Sequence, residues 1–447
     1  MLTLFLNPET LVFNCMSDKK LLKNMSWLTF ISGIERLAAV LQTVLIARAL
    51  GITEYGVYGL IFGTIGLTAS VTGLQMGLTA TVFVARYRDT EKSKAAFVIA
   101  FVNRFGLAVS LLFLLCTIPF ASHITLWLVG SSGLEMAVVA GCLLVAFSII
   151  SGVQDGIIQG FEDFRSVALV RLITTVITLG CIYFAGIQFG LLGVMSALLL
   201  GLLVKYLLLT RKLIWHIREN KLPAKGDGVC GKELLWGFSF PSMLVSLLVG
   251  AVGWWGTFLL SRQTNGFDAL AVVNTGLQWR GPIFLLSSAI SSVAIPVISR
   301  YFQSENHIAI QEMQRKVLLF NGGFTLLASA VMILLSPWIL LLYGSKFSDG
   351  TLVFSLVIAS SVPQVIAGIY MQNLVAKGQM RRILLLHLWL VIPMCAGYQI
   401  AIPQYHSIGF AIVNLLVWTI FTIVLILTLK ATSFLPNKQS LHENKTS

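Results

Sequence analysis

Apolar runs of roughly 20 residues recur from one end of this chain to the other, and nothing else in the sequence constrains the fold so tightly. Held as a helix, a run of that length crosses a hydrocarbon layer of ~30 Å. Backbone amides find no water there, so they must bond within the segment or around a closed barrel. Barrel strands would read as ~10-residue stretches of alternating hydrophobicity, whereas these runs are continuous and rich in Leu, Ile, Val, Gly and Ala. Hydrophobic residues are 57% of the 447 and charged residues 11%, a balance that suits lipid rather than water around the molecule. The chain therefore reads as an all-α polytopic membrane protein.

Charged or Gly/Pro-rich breaks divide the runs into about twelve helices, near 26–48, 55–84, 95–120, 134–158, 166–186, 190–211, 234–261, 268–298, 316–343, 350–376, 382–402 and 406–430. Basic residues collect on alternate connections: Arg86, Arg88, Lys92 and Lys94 after helix 2, Arg165 after helix 4, and Arg211 to Lys232 after helix 6. The other side has only Arg48, Arg262 and Lys346. The positive-inside rule then places both termini in the cytoplasm.

The second half echoes the first at a spacing of about 215 residues. LIARALGITEYGVYGL answers to LLSRQTNGFDALAVVN, LWLVGSS to LLYGSKF, and GIIQGFEDFR to NLVAKGQMRR. Six helices per half make two pseudo-symmetric parallel lobes, 26–211 and 234–430, with a substrate cavity expected between them. Residues 212–233 form a cytoplasmic linker, and 1–25 and 431–447 are cytoplasmic tails. The first fifteen residues lack the pattern of a signal peptide, and Met16 is an alternative start.

The net charge of +13 is explained by topology, because no segment is long enough for a basic nucleic-acid-binding domain. Six scattered cysteines, with no C-x-x-C, indicate neither a disulfide framework nor a metal site. No phosphate loop, no H-E-x-x-H and no G-x-S-x-G is present, and no long external loop offers room for a membrane glycosyltransferase site. The sequence therefore points away from an enzyme and calls for no cofactor.

Charges inside the apolar runs are the candidate functional residues, since a central arginine costs about 2.5–3.5 kcal/mol to insert. Glu35 and Arg36 are neighbours on helix 1, about 100° apart, so each needs a partner on another helix. Glu35, Arg36, Gln42 and Thr43 share one face, which should line protein or water. Arg104 lies on helix 3, Asp155 near the end of helix 4, and Asn274, Gln278 and Arg280 on helix 8, where Gly281-Pro282 should kink the helix. A structural ion pair is the competing role for each arginine. Arg171 and Lys205 fall close enough to helix ends to read as interfacial, and Lys205→Ala is expected to matter little. Gly56, Gly59, Gly63, Gly66, Gly73 and Gly77 make a ridge on helix 2 that lets another helix approach closely.

The stretch LIARALGITEYGVYGLIFGTIGLTASVTGLQMGLTATVFVARYR, with Gly51, Glu54, Tyr55, Gly56 and Tyr58 at the first turn, resembles the start of bacterial polysaccharide and O-antigen flippases (Wzx-type). These belong to the multidrug/oligosaccharidyl-lipid/polysaccharide (MOP) exporter superfamily, and the resemblance extends through LWLVGSS, GIIQGFEDFR and their second-half echoes. It implies a MATE/MOP-like inner-membrane transporter that moves undecaprenyl-pyrophosphate-linked oligosaccharide from the cytoplasmic to the periplasmic leaflet by alternating access. On that reading Arg36, Arg104 and Arg280 hold the diphosphate, and Gln42, Asn274 and Gln278 face the sugars. Glu35 or Asp155 would couple transport to H+ or Na+. Polysaccharide polymerase and assembly proteins are candidate partners. The rival is a cation-coupled multidrug exporter of the same superfamily, which would favour carboxylates in the cavity; peptidoglycan-precursor flippases carry extra helices.

Overall fold

The computed structural model describes residues 19–223, 226, 231, 234–303, 307–376 and 380–433. The alternative start at Met16, the linker from 224 to 233 apart from Gly226 and Gly231, and the tail beyond Ser433 lie outside the described residues. Within them every regular element is a helix. The first half holds α1 (Lys19–Leu50), α2 (Ile52–Thr72), α3 (Met76–Tyr87), α4 (Lys92–Thr117), α5 (Ala121–Leu128), α6 (Glu135–Gly160) and α7 (Phe164–Glu219). The second half opens with a π-helical turn, Leu234–Ser239, that leads into α8 (Phe240–Ser261), and continues with α9 (Gly266–Gln303), α10 (His307–Leu334), α11 (Ser336–Tyr343), α12 (Thr351–Ala359), α13 (Ser361–Ala376) and α14 (Met380–Ser433).

Among the described residues, seven helical stretches are long and apolar enough to cross a membrane by length and composition alone. Two of these carry a reversal: α7 turns at Gly190, where φ is +54°, and α14 turns at His406, where φ is +48°. Both turns fall where the sequence separates helices 5 from 6 and 11 from 12. Helix 2 behaves otherwise. Expected as one helix, it is broken at Gly73–Gln75 into α2 and α3, and the non-glycine residues Leu74 and Gln75 both take left-handed backbone angles. Helix 8, by contrast, continues as α9 through Gly281-Pro282 without interruption.

Packing follows the halves. In the first, α7 packs on α1 and α6, and α6 packs on α3 and α4. In the second, α14 packs on α8, α9, α12 and α13. The halves meet mainly where α2 lies against α8 and α9, and α1 against α9. The glycine ridge explains the closeness of that seam, because a side chain at Gly56 would run into the backbone of Phe267, and one at Gly59 into the Asn274 amide. Bulky apolar side chains such as Phe184, Leu334 and Trp389 point outward, as a lipid-facing surface requires.

One end of the bundle gathers the basic connections. Arg88 pairs with Glu162 at 2.8 Å, Lys92 donates to the Asn220 carbonyl, and His216 Nε2 lies 3.0 Å from Asp163. Asp163 also caps α7, accepting from the Ser166 amide at 3.1 Å. Partial burial works against its charge, but the His216 and Ser166 bonds prevail and bring its pKa down to about 2. This end is called the basic face below.

Candidate functional site

At the opposite face the two halves are tied together. Arg48, at the end of α1, donates from Nε to the Leu342 carbonyl at 2.7 Å and from a terminal nitrogen to that of Leu341 at 2.9 Å. Arg262, at the end of α8, donates to the Trp127 carbonyl. These contacts mirror one another, because Arg48 and Arg262 are echoed residues of the repeat, as are Trp127 and Leu342. Thr53 adds a 2.6 Å bond to Asp268.

Beneath this clasp lies an aromatic plug of Tyr55, Tyr58, Tyr343 and Phe347. Its centre is the Tyr343 hydroxyl, which is 2.9 Å from Thr43 Oγ1 on α1 and accepts from Trp279 Nε1 on α9 at 3.1 Å. Trp127 stacks on Trp254 and Phe258 beside it. Nearer the basic face the halves touch through Gln75 and Ser246 at 3.2 Å, and through Thr79 and Ser239 at 2.7 Å. The first of these bonds anchors the left-handed residue at the break in helix 2.

Between the plug and the basic face, a cavity of about 500 Å³ opens along the seam. Gly63 and Gly66 of α2 form part of its wall, where the absence of side chains leaves open space. Arg280 is its one charged lining residue, and no carboxylate lines it among the described residues. The arginine is 6% exposed. It donates to Gln364 Oε1 and sits 5.0 Å over the Phe284 ring, while its Nε has no hydrogen-bond partner among the described residues. Among the described residues this buried guanidinium therefore has neither a carboxylate nor a full set of acceptors.

The other predicted residues divide around this cavity. Asn274 and Gln278 line it, and the Asn274 amide nitrogen has no partner among the described residues. Arg36 is exposed on α1, with its guanidinium beside Gly281 of α9, the residue next to Arg280. Gln42 is half-buried on α1 and Arg104 is exposed on α4, and neither lines the cavity. The structure thus brings Arg36 and Arg280 to the same stretch of α9 and leaves Arg104 elsewhere.

Glu35 and Asp155 meet in a separate place, inside the first half. Asp155 Oδ2 is 2.7 Å from Lys205 Nζ and 3.2 Å from an Arg171 nitrogen, and Arg171 reaches Glu35 at 3.7 Å. Two acids and two bases make a neutral quartet. Lys205 and Arg171, read from the sequence as interfacial, thus both have acidic partners in the bundle. The sequence places the end of helix 6 at 211, but α7 runs on to Glu219, so Lys205 lies roughly 21 Å of helix from that end. Asp155 and Arg171 also line a cleft of about 360 Å³ that shares Ser70 with the main cavity.

Solved structures share this architecture. An inward-facing multidrug resistance MATE family transporter of the MOP superfamily superposes with a TM-score of 0.74 at 15% identity, covering 89% of this chain and 95% of that one. An outward-facing one gives 0.65 at 16% identity, covering 92% and 96%. A MOP superfamily transporter from Pyrococcus furiosus, described as having a binding pocket of reverse polarity, gives 0.65 at 15% identity, covering 92% and 97%. No curated protein matches the chain.

The architecture therefore defines a multi-pass membrane protein with the fold of the MOP-superfamily transporters. Within that class, the chain belongs to the polysaccharide biosynthesis protein family, whose model matches residues 21–302.

Proposed function

We propose that this protein is a flippase for lipid-linked oligosaccharide diphosphates, the undecaprenyl-pyrophosphate-linked repeat units of O-antigen or another surface polysaccharide. It works in the bacterial inner membrane with both termini and the basic face cytoplasmic. The clasped face is then periplasmic, and the cavity belongs to a state that receives substrate from the cytoplasmic side. Arg280 carries the proposal: it is a buried guanidinium in a cavity between the halves, with an unused donor and no neighbouring carboxylate among the described residues. Planar guanidinium groups bind phosphate oxygens in pairs, and Arg36, arriving at Gly281, supplies a second cation. Asn274 and Gln278 face the sugars, and the prenyl chain stays in lipid.

The drug-exporter reading has less support, since cationic substrates need acceptors and the described lining has no acid. Glu35 and Asp155 are the proposed sites of coupling to H+ or Na+. Each keeps one carboxylate oxygen without a partner among the described residues, so the quartet has unused acceptors.

The test is transbilayer movement of a prenyl-diphosphate oligosaccharide in proteoliposomes. Wild type should move it, and Arg280→Ala and Arg36→Ala should not while inserting normally. Uptake of a cationic dye with no lipid movement would overturn the proposal in favour of the exporter.

A further inference from the structure

Across the cavity from α2, α14 contributes His387, a residue whose sequence surroundings match no ligand motif. It lines the same space as Arg280 and is partly buried. One of its ring nitrogens is committed, because Nδ1 lies 2.8 Å from the Ile383 carbonyl one helical turn earlier. A carbonyl oxygen only accepts, so Nδ1 must carry the hydrogen, which fixes the neutral tautomer and leaves the lone pair on Nε2. That nitrogen has no hydrogen-bond partner among the described residues.

We infer that His387 is a second headgroup ligand, which takes a proton on Nε2 as the diphosphate binds beside Arg280. The inference rests on the flippase reading of the cavity. A diphosphate that links a lipid to a sugar is a diester with one negative charge per phosphate. Arg36, beside Gly281, is not among the lining residues and joins from outside the cavity, whereas Arg280 meets one of the two charges inside it. Neutral Nε2 meets the other with its lone pair, which repels it; protonated Nε2 meets it with a donor and a positive charge. The proton comes from the aqueous phase, and no bond of the substrate is made or broken. Of the elements packed on α14, only α9 sends a charged group, Arg280, to this cavity; α8, α12 and α13 send none among the described residues. The other titratable lining groups are the phenols Tyr55 and Tyr58 of α2 and Tyr398 of α14 itself.

The experiment uses the purified full-length protein and farnesyl-diphospho-N-acetylglucosamine, a diphosphate diester whose own charge is constant across the imidazole range. Calorimetric titration between about pH 5 and 8, in two buffers of different ionisation heat, reads affinity and proton uptake together. Wild type should take up close to one proton per ligand in the middle of that range, and its affinity should weaken up to about tenfold per pH unit toward the alkaline end. His387→Gln and His387→Asn should bind with a flat pH profile and no uptake, at about the alkaline wild-type affinity. Binding that depends on Arg280 but takes up no proton, or a pH profile unchanged in both His387 variants, overturns the inference and leaves the flippase reading standing. Failure of wild type to bind the probe at any pH overturns both.

Discussion

In the first half of the bundle, Arg171 reaches two carboxylates, and Lys205 completes a quartet whose charges cancel. In the second half, Arg280 is more deeply buried, has no carboxylate beside it among the described residues, and faces a cavity. Both arginines place a charge inside the helical bundle, and the halves meet it differently. Where neighbours cancel the charge, the arginine holds helices together; where they do not, donors stay open to a ligand, the role proposed for Arg280.

Lys205→Ala gives the sharpest test of the first half. It leaves Asp155 with Arg171 alone, and losing one hydrogen bond to a charged group costs about 1.5–3 kcal/mol. The detergent-solubilised protein should melt at a clearly lower temperature, and Lys205→Ala with Asp155→Asn should recover part of the loss. An unchanged melting temperature would mean that the quartet is no more than an interfacial contact. In the second half the loss should fall on binding. Arg280→Ala should weaken a prenyl-diphosphosugar by about 1.5–3 kcal/mol and leave the melting temperature within a few degrees, since its removal strands no acid. A large loss of stability in Arg280→Ala would erase the distinction between the halves.

Two smaller effects probe the ends of the bundle. Asp163 has a folded pKa of about 2 against an ordinary 3.8, so its stabilising effect is complete above pH 3.8 and disappears as pH falls toward 2. It amounts to about 2 kcal/mol, read as the difference in acid unfolding between wild type and Asp163→Asn. The two should converge at the acid end, and parallel curves would refute the assignment. At the opposite face, Tyr343→Phe removes the hydroxyl that joins Thr43 to Trp279 and should loosen the plug by about 1 kcal/mol. A slightly lower melting temperature for Tyr343→Phe would report it, and an unchanged one would show that the rings alone close this end.

Much of this was legible in the sequence. The turns at Gly190 and His406 fall where apolar runs are interrupted, and Glu35 and Arg36 do look for partners in different directions: one reaches Arg171, the other the backbone of α9. The break in helix 2 was hidden, because Leu74 and Gln75 carry no turn signature and their left-handed angles depend on contacts such as Gln75 with Ser246. The Lys205–Asp155 pair was hidden because the partners lie 50 residues apart on different helices, and the helix end was read at 211 rather than Glu219. His387 had no motif to announce it; its tautomer depends on where Ile383 lies one turn away.

The clasp formed by Arg48 and Arg262 has a consequence for how the halves recognise each other. Each half offers one arginine and one carbonyl at equivalent positions, and each arginine takes the carbonyl of the other half. Such a contact is self-complementary, as between two copies of one subunit related by a twofold axis. A single ancestral surface, present twice, is enough to specify it. Two polypeptides made by cutting this chain in its linker would each retain half of both bonds, so the information for their reassembly resides in the surfaces themselves rather than in the tether.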